Sequence, residues 1–200
     1  EYIRQHPEIN EVILSGGDPL MAKDERLKGL INEFELLPQL TRLRIHSRLP
    51  VVIPSRLTHK LKEVLSNSRL QSVLVLHANH ANEISPELAG ALDDWHHAGI
   101  HLLNQSVLLS GVNDNLTALI ELSEKLFSAR VMPYYLHQLD KVEGASHFAV
   151  SDEKAQALWQ KMTHELPGFL VPRLVREEAG ELSKTAIMPD GTNTLTEEKL

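Results

Sequence analysis

Two hundred residues, 42% hydrophobic and with no cysteine, suffice for one buried core. They exclude a disulfide framework and any thiolate metal or iron–sulfur site within this chain. A formal charge of -7 without a long block of Lys or Arg argues against nucleic acid as a partner. No run approaches the roughly eighteen apolar residues of a membrane span, and Glu1 to Pro7 lacks the pattern of a signal peptide. The expected setting is therefore cytoplasmic, away from membranes.

In chain order, Glu1-Tyr2-Ile3-Arg4 is helix-like. Glu11 to Ser15 then reads as a short strand, after which Leu27, Leu30, Ile31, Phe34 and Leu37 recur at helical spacing. Arg42 to His46 is the next strand, and Thr58 is the N-cap of a helix with Leu61, Val64 and Leu65 on one face. After the strand Ser72 to Leu76 comes a helix with strong local signals. Ser85 caps it, Pro86 opens its first turn, Leu88, Leu92 and Trp95 share a face, and Gly99 stops it. Ile100 to Leu109 is a strand. Asn113 or Asp114 caps the following helix, which carries Leu116, Leu119, Ile120 and Phe127. Arg130 to His137 is a strand interrupted by Pro133, and Ser151 opens a last helix through Leu158 and Met162.

Strands alternating with helices give a parallel sheet, either doubly wound or curled into a barrel. Polar groups follow every strand: Ser15-Gly16-Gly17-Asp18, His46-Ser47-Arg48, His77-Ala78-Asn79-His80, Asn104-Gln105, and Tyr134 through Asp140. A ring of strand-end polar residues favours a barrel mouth over the single switch point of a doubly wound sheet. With five clear strands, the reading is an α/β fold, a partial (β/α) barrel. Residues 1–188 form one domain, and 189–200 an irregular acidic tail.

Several residue groups could carry chemistry. Gly16 and Gly17 would let the backbone approach a ligand, and Asp18 could accept from an ammonium, although the same residues make a tight strand-to-helix turn. His46, His77 and His80, with Asp140, raise a metal-dependent barrel hydrolase as an alternative, and a noncatalytic barrel remnant is a further one. His96 and His97 are explained by a helix C-terminus. Lys184, Asp140 and Glu177 read alone as surface charges. Lys184 could instead form a Schiff base if buried, and two carboxylates in one pocket would hold a substrate ammonium. These readings stop at a barrel with a polar mouth.

Taken together, the segments resemble the lysine 2,3-aminomutase family of radical S-adenosylmethionine (SAM) enzymes. The anchors are residues 14–20 (LSGGDPL), 44–54 (RIHSRLPVVIP), 77–84 (HANHANEI), 104–114 (NQSVLLSGVND) and 132–140 (MPYYLHQLD), then Gly144, His147-Phe148 and Ser183-Lys184. The run from Tyr135 to Gly144 is most similar to the bacterial branch that supplies β-lysine for modifying translation elongation factor P. The resemblance implies a radical SAM barrel in which Gly16, Gly17 and Asp18 form the SAM-binding turn, with His77 and Gln105 as further SAM contacts. It implies Lys184 as the catalytic lysine that carries pyridoxal phosphate (PLP), and Asp140 with Glu177, where the family commonly has Asp, as the binders of the substrate lysine's side-chain ammonium. The implied reaction moves the amino group of L-lysine from Cα to Cβ by radical chemistry. Elongation factor P and its lysine ligase are the implied functional partners, and the oligomeric state stays open, a homo-oligomer included. The family's Cys-x3-Cys-x2-Cys loop, which holds a 4Fe–4S cluster, is absent. The chain accordingly reads as a piece truncated at the N-terminus, lacking also the basic groups for the PLP phosphate, and inactive alone.

Overall fold

The computed structural model describes residues 1–140, 144–178, 180 and 184–187. After the short helix α1 (Tyr2–Gln5) the chain runs β1 (Glu11–Leu14), α2 (Asp24–Glu35), β2 (Arg42–Ser47), α3 (Leu49–Val52), α4 (His59–Ser66) and β3 (Gln71–Leu76). It continues α5 (Pro86–His97), β4 (His101–Leu108), α6 (Leu116–Ser128), β5 (Met132–Gln138), α7 (Asp152–Glu165), β6 (Arg173–Arg176) and β7 (Thr185–Ala186). Leu182 and Ser183 and the expected tail, 189–200, lie outside the described residues.

Local chemistry sets the helix starts. Thr58, Ser85 and Ser151 each accept from a backbone N–H three residues on, a contact worth about 1 kcal/mol. The cap of α6 is Asn115, not Asn113 or Asp114: its side chain accepts from Ala118 N at 3.0 Å. Asn113 is instead fully buried. It accepts from Leu109 N and donates to the carbonyls of Asn79 and Val107, so it cannot also serve the helix. Asp114 accepts from Gly111 N and pairs with Lys154. Two residues expected on apolar helix faces, Leu30 and Phe127, are exposed.

The strands lie in sequence order, β1 to β7. Neighbours from β1 to β6 are parallel, and β7 runs antiparallel to β6. Right-handed crossovers that always step in one direction put every helix on the same side and curl the sheet into a half-barrel. The core lies between the convex face and the helices. Leu43, Ile45, Leu74, Leu76 and Leu102 pack there against Leu27, Leu61, Leu92 and Trp95, and Leu108, Leu136 and Leu174 pack in a second cluster with Leu119, Leu158 and Met162. The sequence reading found five strands. It missed β6 and β7, because four residues and two residues are too short to show a period.

Side chains alternate across the sheet, so the residues between the core positions face the hollow. In β2 these are Arg42, Arg44 and His46, and in β4 they are Leu103, Gln105 and Val107. Pro133 lies within β5, opposite Asn104, and the register slips there, with Gln105 opposite Tyr135. Proline cannot donate to the ladder and is tolerated at such a bulge.

Candidate active site

The hollow is polar, and several of its polar atoms are buried without a partner. Arg44 Nε, His46 Nε2, Gln105 Oε1 and His137 Nε2 are all buried and unbonded, although they come from three strands with the same alternation phase. A buried polar atom left unbonded costs about 1–3 kcal/mol, and four of them share this face.

Lys184 enters this hollow because β7 is antiparallel. The pairing of Val175 with Ala186 and Arg176 with Thr185 carries the residue before β7 to the carboxyl ends of the parallel strands. There the Lys184 ammonium is ion-paired with Glu177 and lies 5.7 Å from the centre of the Tyr135 ring. Its side chain is 27% exposed against 58% for Glu177, so it is the more covered partner of the pair. The hydrogen bond from Lys184 holds the Glu177 carboxyl below the usual carboxylate range. Burial, then the positive charges of Arg44 and neighbours that include Lys184, pushes His46 down to about 4. Burial and Lys184 push His137 down to about 4 as well. Both imidazoles are neutral near pH 7.

His77 and Gln105 meet: Gln105 Nε2 and His77 Nε2 are 3.0 Å apart, and the His46 and His77 rings meet edge to face at 5.9 Å. Gln105 is within β4, not past its end, while Asn104 points to the buried face and binds the backbone of Ala78. The bulge of β5 brings Tyr134 against Tyr135, their hydroxyls 3.0 Å apart. Burial and that bond raise the Tyr134 phenol.

Gly16 and Gly17 have φ of +84° and +57°, a left-handed turn that side chains disfavour. Asp18 is not a free acceptor. Its carboxylate accepts from Leu20 N, Ser47 Oγ, Arg48 N and Leu49 N, which pins the turn after β1 to the turn after β2. Ser47 is buried and Arg48 lies outside the hollow, paired with Glu83. His80 does not join His46 and His77: its Nδ1 accepts from Asn82 N to cap a short turn. Asp140, at the same end of the sheet, is exposed and bonds no described residue, Glu177 included. The histidine–aspartate metal set is thus dispersed, and among the described residues no group of three His, Cys, Asp or Glu could hold a metal ion.

Sequence reasoning did not single out Arg44, Tyr135 or His137 as site residues. The phase of β2 and β5, with hydrophobic residues alternating against them, carried the signal, but the bulge at Tyr134 hides it in β5.

A curled parallel sheet with a polar concave face and Lys184 at the strand carboxyl ends defines the protein as an α/β half-barrel. The fold is shared with a radical SAM methyltransferase from Sphaerobacter thermophilus, whose crystal structure matches at a TM-score of 0.61 and 15% identity over 85% of this chain and 52% of that one. No family model matches the sequence. Over nearly its whole length, the chain is homologous to the lysine 2,3-aminomutases. It is 53% identical over 187 residues to L-lysine 2,3-aminomutase of Escherichia coli strain K12, covering 94% of this chain and 55% of that protein. It is 39% identical over 190 residues to that of Clostridium subterminale, covering 95% and 45%. The chain spans about half the length of these relatives.

Proposed function

We propose that this chain is the site-bearing barrel segment of a lysine 2,3-aminomutase, which converts L-lysine to β-lysine in the cytoplasm for modification of elongation factor P, with that factor's lysine ligase downstream. The observation that carries the reading is Lys184: antiparallel β7 delivers it into a hollow lined by unpartnered buried nitrogens, in a sequence 53% identical to an L-lysine 2,3-aminomutase.

The residues present fit PLP and SAM. Lys184 supplies the amine for an aldehyde cofactor. The unbonded Arg44 Nε, His46 Nε2 and His137 Nε2 supply polar contacts, and the Gly16-Gly17 turn with His77 and Gln105 lines an approach to the same opening. When bound, the two cofactors supply the radical migration of the amino group. The chain's own work is to hold them. Tyr135 packs beside Lys184, and neutral His46 and His137 can donate or accept without adding charge beside Lys184. Asp140 and Glu177, on adjacent strand ends, are suited to a distal ammonium that must not be left unpaired. A thiolate-held cluster has no ligand in this chain. By the same reasoning the chain alone is inactive.

Two measurements on the intact protein test this. Incubation with L-lysine, SAM and reductant should yield β-lysine by mass spectrometry, and borohydride reduction should leave a PLP adduct on the peptide containing Lys184. Lysine recovered unchanged, with the adduct elsewhere, would overturn the reading.

A further inference from the structure

The backbone register of β3 with β4 ends at Leu76–Asn104, whereas β4 stays paired with β5 as far as Leu108. Beyond that point side chains join the two strands. Asn104 Oδ1 accepts from Ala78 N at 2.9 Å, and Asn104 Nδ2 donates to Ala78 O at 3.0 Å. Asn79 Oδ1 accepts from Val107 N, and Asn113 Nδ2 donates to the carbonyls of Asn79 and Val107. Asn104, Ser106 and Ala78 are all buried, and Ser106 Oγ adds a second bond to Ala78 O at 2.8 Å.

Side chains alternate along each strand. His77 and Gln105, on the concave side, are therefore the chain neighbours of Ala78 and Asn104, on the buried side. Each end of the 3.0 Å contact between His77 Nε2 and Gln105 Nε2 lies one residue from an end of the Asn104–Ala78 contact. A carboxamide that accepts from one residue's N–H and donates to the same residue's C=O does for that residue what a ladder partner does. Because such bonds span only about 2.7–3.2 Å, a small slide of Ala78 along β4 would separate His77 from Gln105.

We infer that Asn104 is the positioning residue of the His77–Gln105 pair: its amide takes the place of the backbone pairing that β3 has given up and sets the height of the His77 imidazole against the Gln105 amide. Asn104 faces the core and acts through its neighbours. This rests on the proposed reading for the ligand, since that reading assigns His77 and Gln105 to SAM. Affinity for SAM, and not loading of PLP, then depends on Asn104.

Two readouts on the intact protein test this: nitrogen NMR of the His77 ring without cofactors, and calorimetric binding of SAM after anaerobic cluster reconstitution. In the wild type the Gln105 donor holds the ring in the Nδ1–H tautomer. Asn104→Ala should give a mixture of tautomers and bind SAM about five-fold or more weakly, the worth of one lost hydrogen bond, while the PLP adduct on Lys184 forms at wild-type yield. Ser106→Ala also removes a buried polar group of this network but leaves both Asn104–Ala78 bonds, so it should keep the single tautomer and the wild-type SAM affinity. Asn104→Ala with the wild-type tautomer and affinity would overturn the inference, as would a Ser106→Ala protein altered to the same extent. Failure of every form, wild type included, to bind SAM would overturn the aminomutase reading, with the tautomer readout still deciding the role of Asn104. Thermal melts establish that each variant is folded, and Asn104→Ser, too short to serve both groups of Ala78, replaces Asn104→Ala should the latter fail to fold.

Discussion

Gln105 Nε2 and His77 Nε2 lie 3.0 Å apart at the centre of the hollow, joining β4 to the first residue past β3. The amide donates, so the His77 nitrogen must accept, and the ring carries its proton on Nδ1. Burial already holds the His77 imidazole below its usual value, with Asp18 opposing and Arg48 assisting. Gln105→Glu would put a carboxylate where the amide is, favouring the imidazolium. The expected result is an upward move of the His77 titration by about one unit or more, followed by nitrogen NMR of the ring. A titration left in place would show that the pair does not hold in solution.

His46 and His137, held at about 4, make folding depend on pH. The unfolded chain takes up protons on both rings near pH 6.5, and the folded chain does not until about pH 4. Stability from these two groups is full above pH 6.5 and is lost as pH falls toward 4. Thermal melts across that window should fall steadily, and His46→Gln with His137→Gln should flatten the slope. A slope unchanged in the double variant would mean that other groups cause it.

Asp18 accepts four hydrogen bonds that tie two strand-end turns together. Asp18→Ala would leave the N–H groups of Leu20 and Arg48 and the hydroxyl of buried Ser47 without this acceptor, while Leu49 N keeps its bond to Ser47 Oγ. A loss of about 3 kcal/mol is expected, or on the order of 6–12 °C in melting temperature for a domain of this size. Gln39→Ala removes one bond, from its side chain to the Ile3 carbonyl, and serves as a control expected to cost well under half as much. Equal melting temperatures for the two would show that Asp18 does not brace the turns.

The helices declared themselves because caps at Thr58, Ser85 and Ser151 sit three residues before the N–H they satisfy, and barrel curvature followed from polar residues after successive strands. Asn115 was missed since Asn113, Asp114 and Asn115 are chemically interchangeable as caps, and only the burial of Asn113 against β3 and β4 decides among them. His77 and Gln105 meet, and Lys184 pairs with Glu177 past the end of β6. His80 joins neither, because a histidine three residues before Glu83 can close a capping box as readily as it can bind a ligand. The Glu177–Lys184 contact was illegible: it depends on a two-residue strand reversing direction, which has no period and no sequence signature.

Asp140 is the cleanest place to separate function from stability. It is exposed at the end of β5 and bonded to no described residue, so Asp140→Asn should shift the melting temperature by no more than about 0.5 kcal/mol implies. In the intact protein the consequence for lysine turnover should be large, because a distal ammonium covered by cofactor and sheet would lose one of two charged partners. Losing such a contact costs about 2–5 kcal/mol, which is on the order of thirty-fold or more in kcat/KM. The PLP adduct on Lys184 should form at wild-type yield, since the substitution touches no group beside that amine. An Asp140→Asn protein that is stable, fully loaded and still makes β-lysine at the wild-type kcat/KM would remove Asp140 from the ammonium site and leave Glu177 to act there alone.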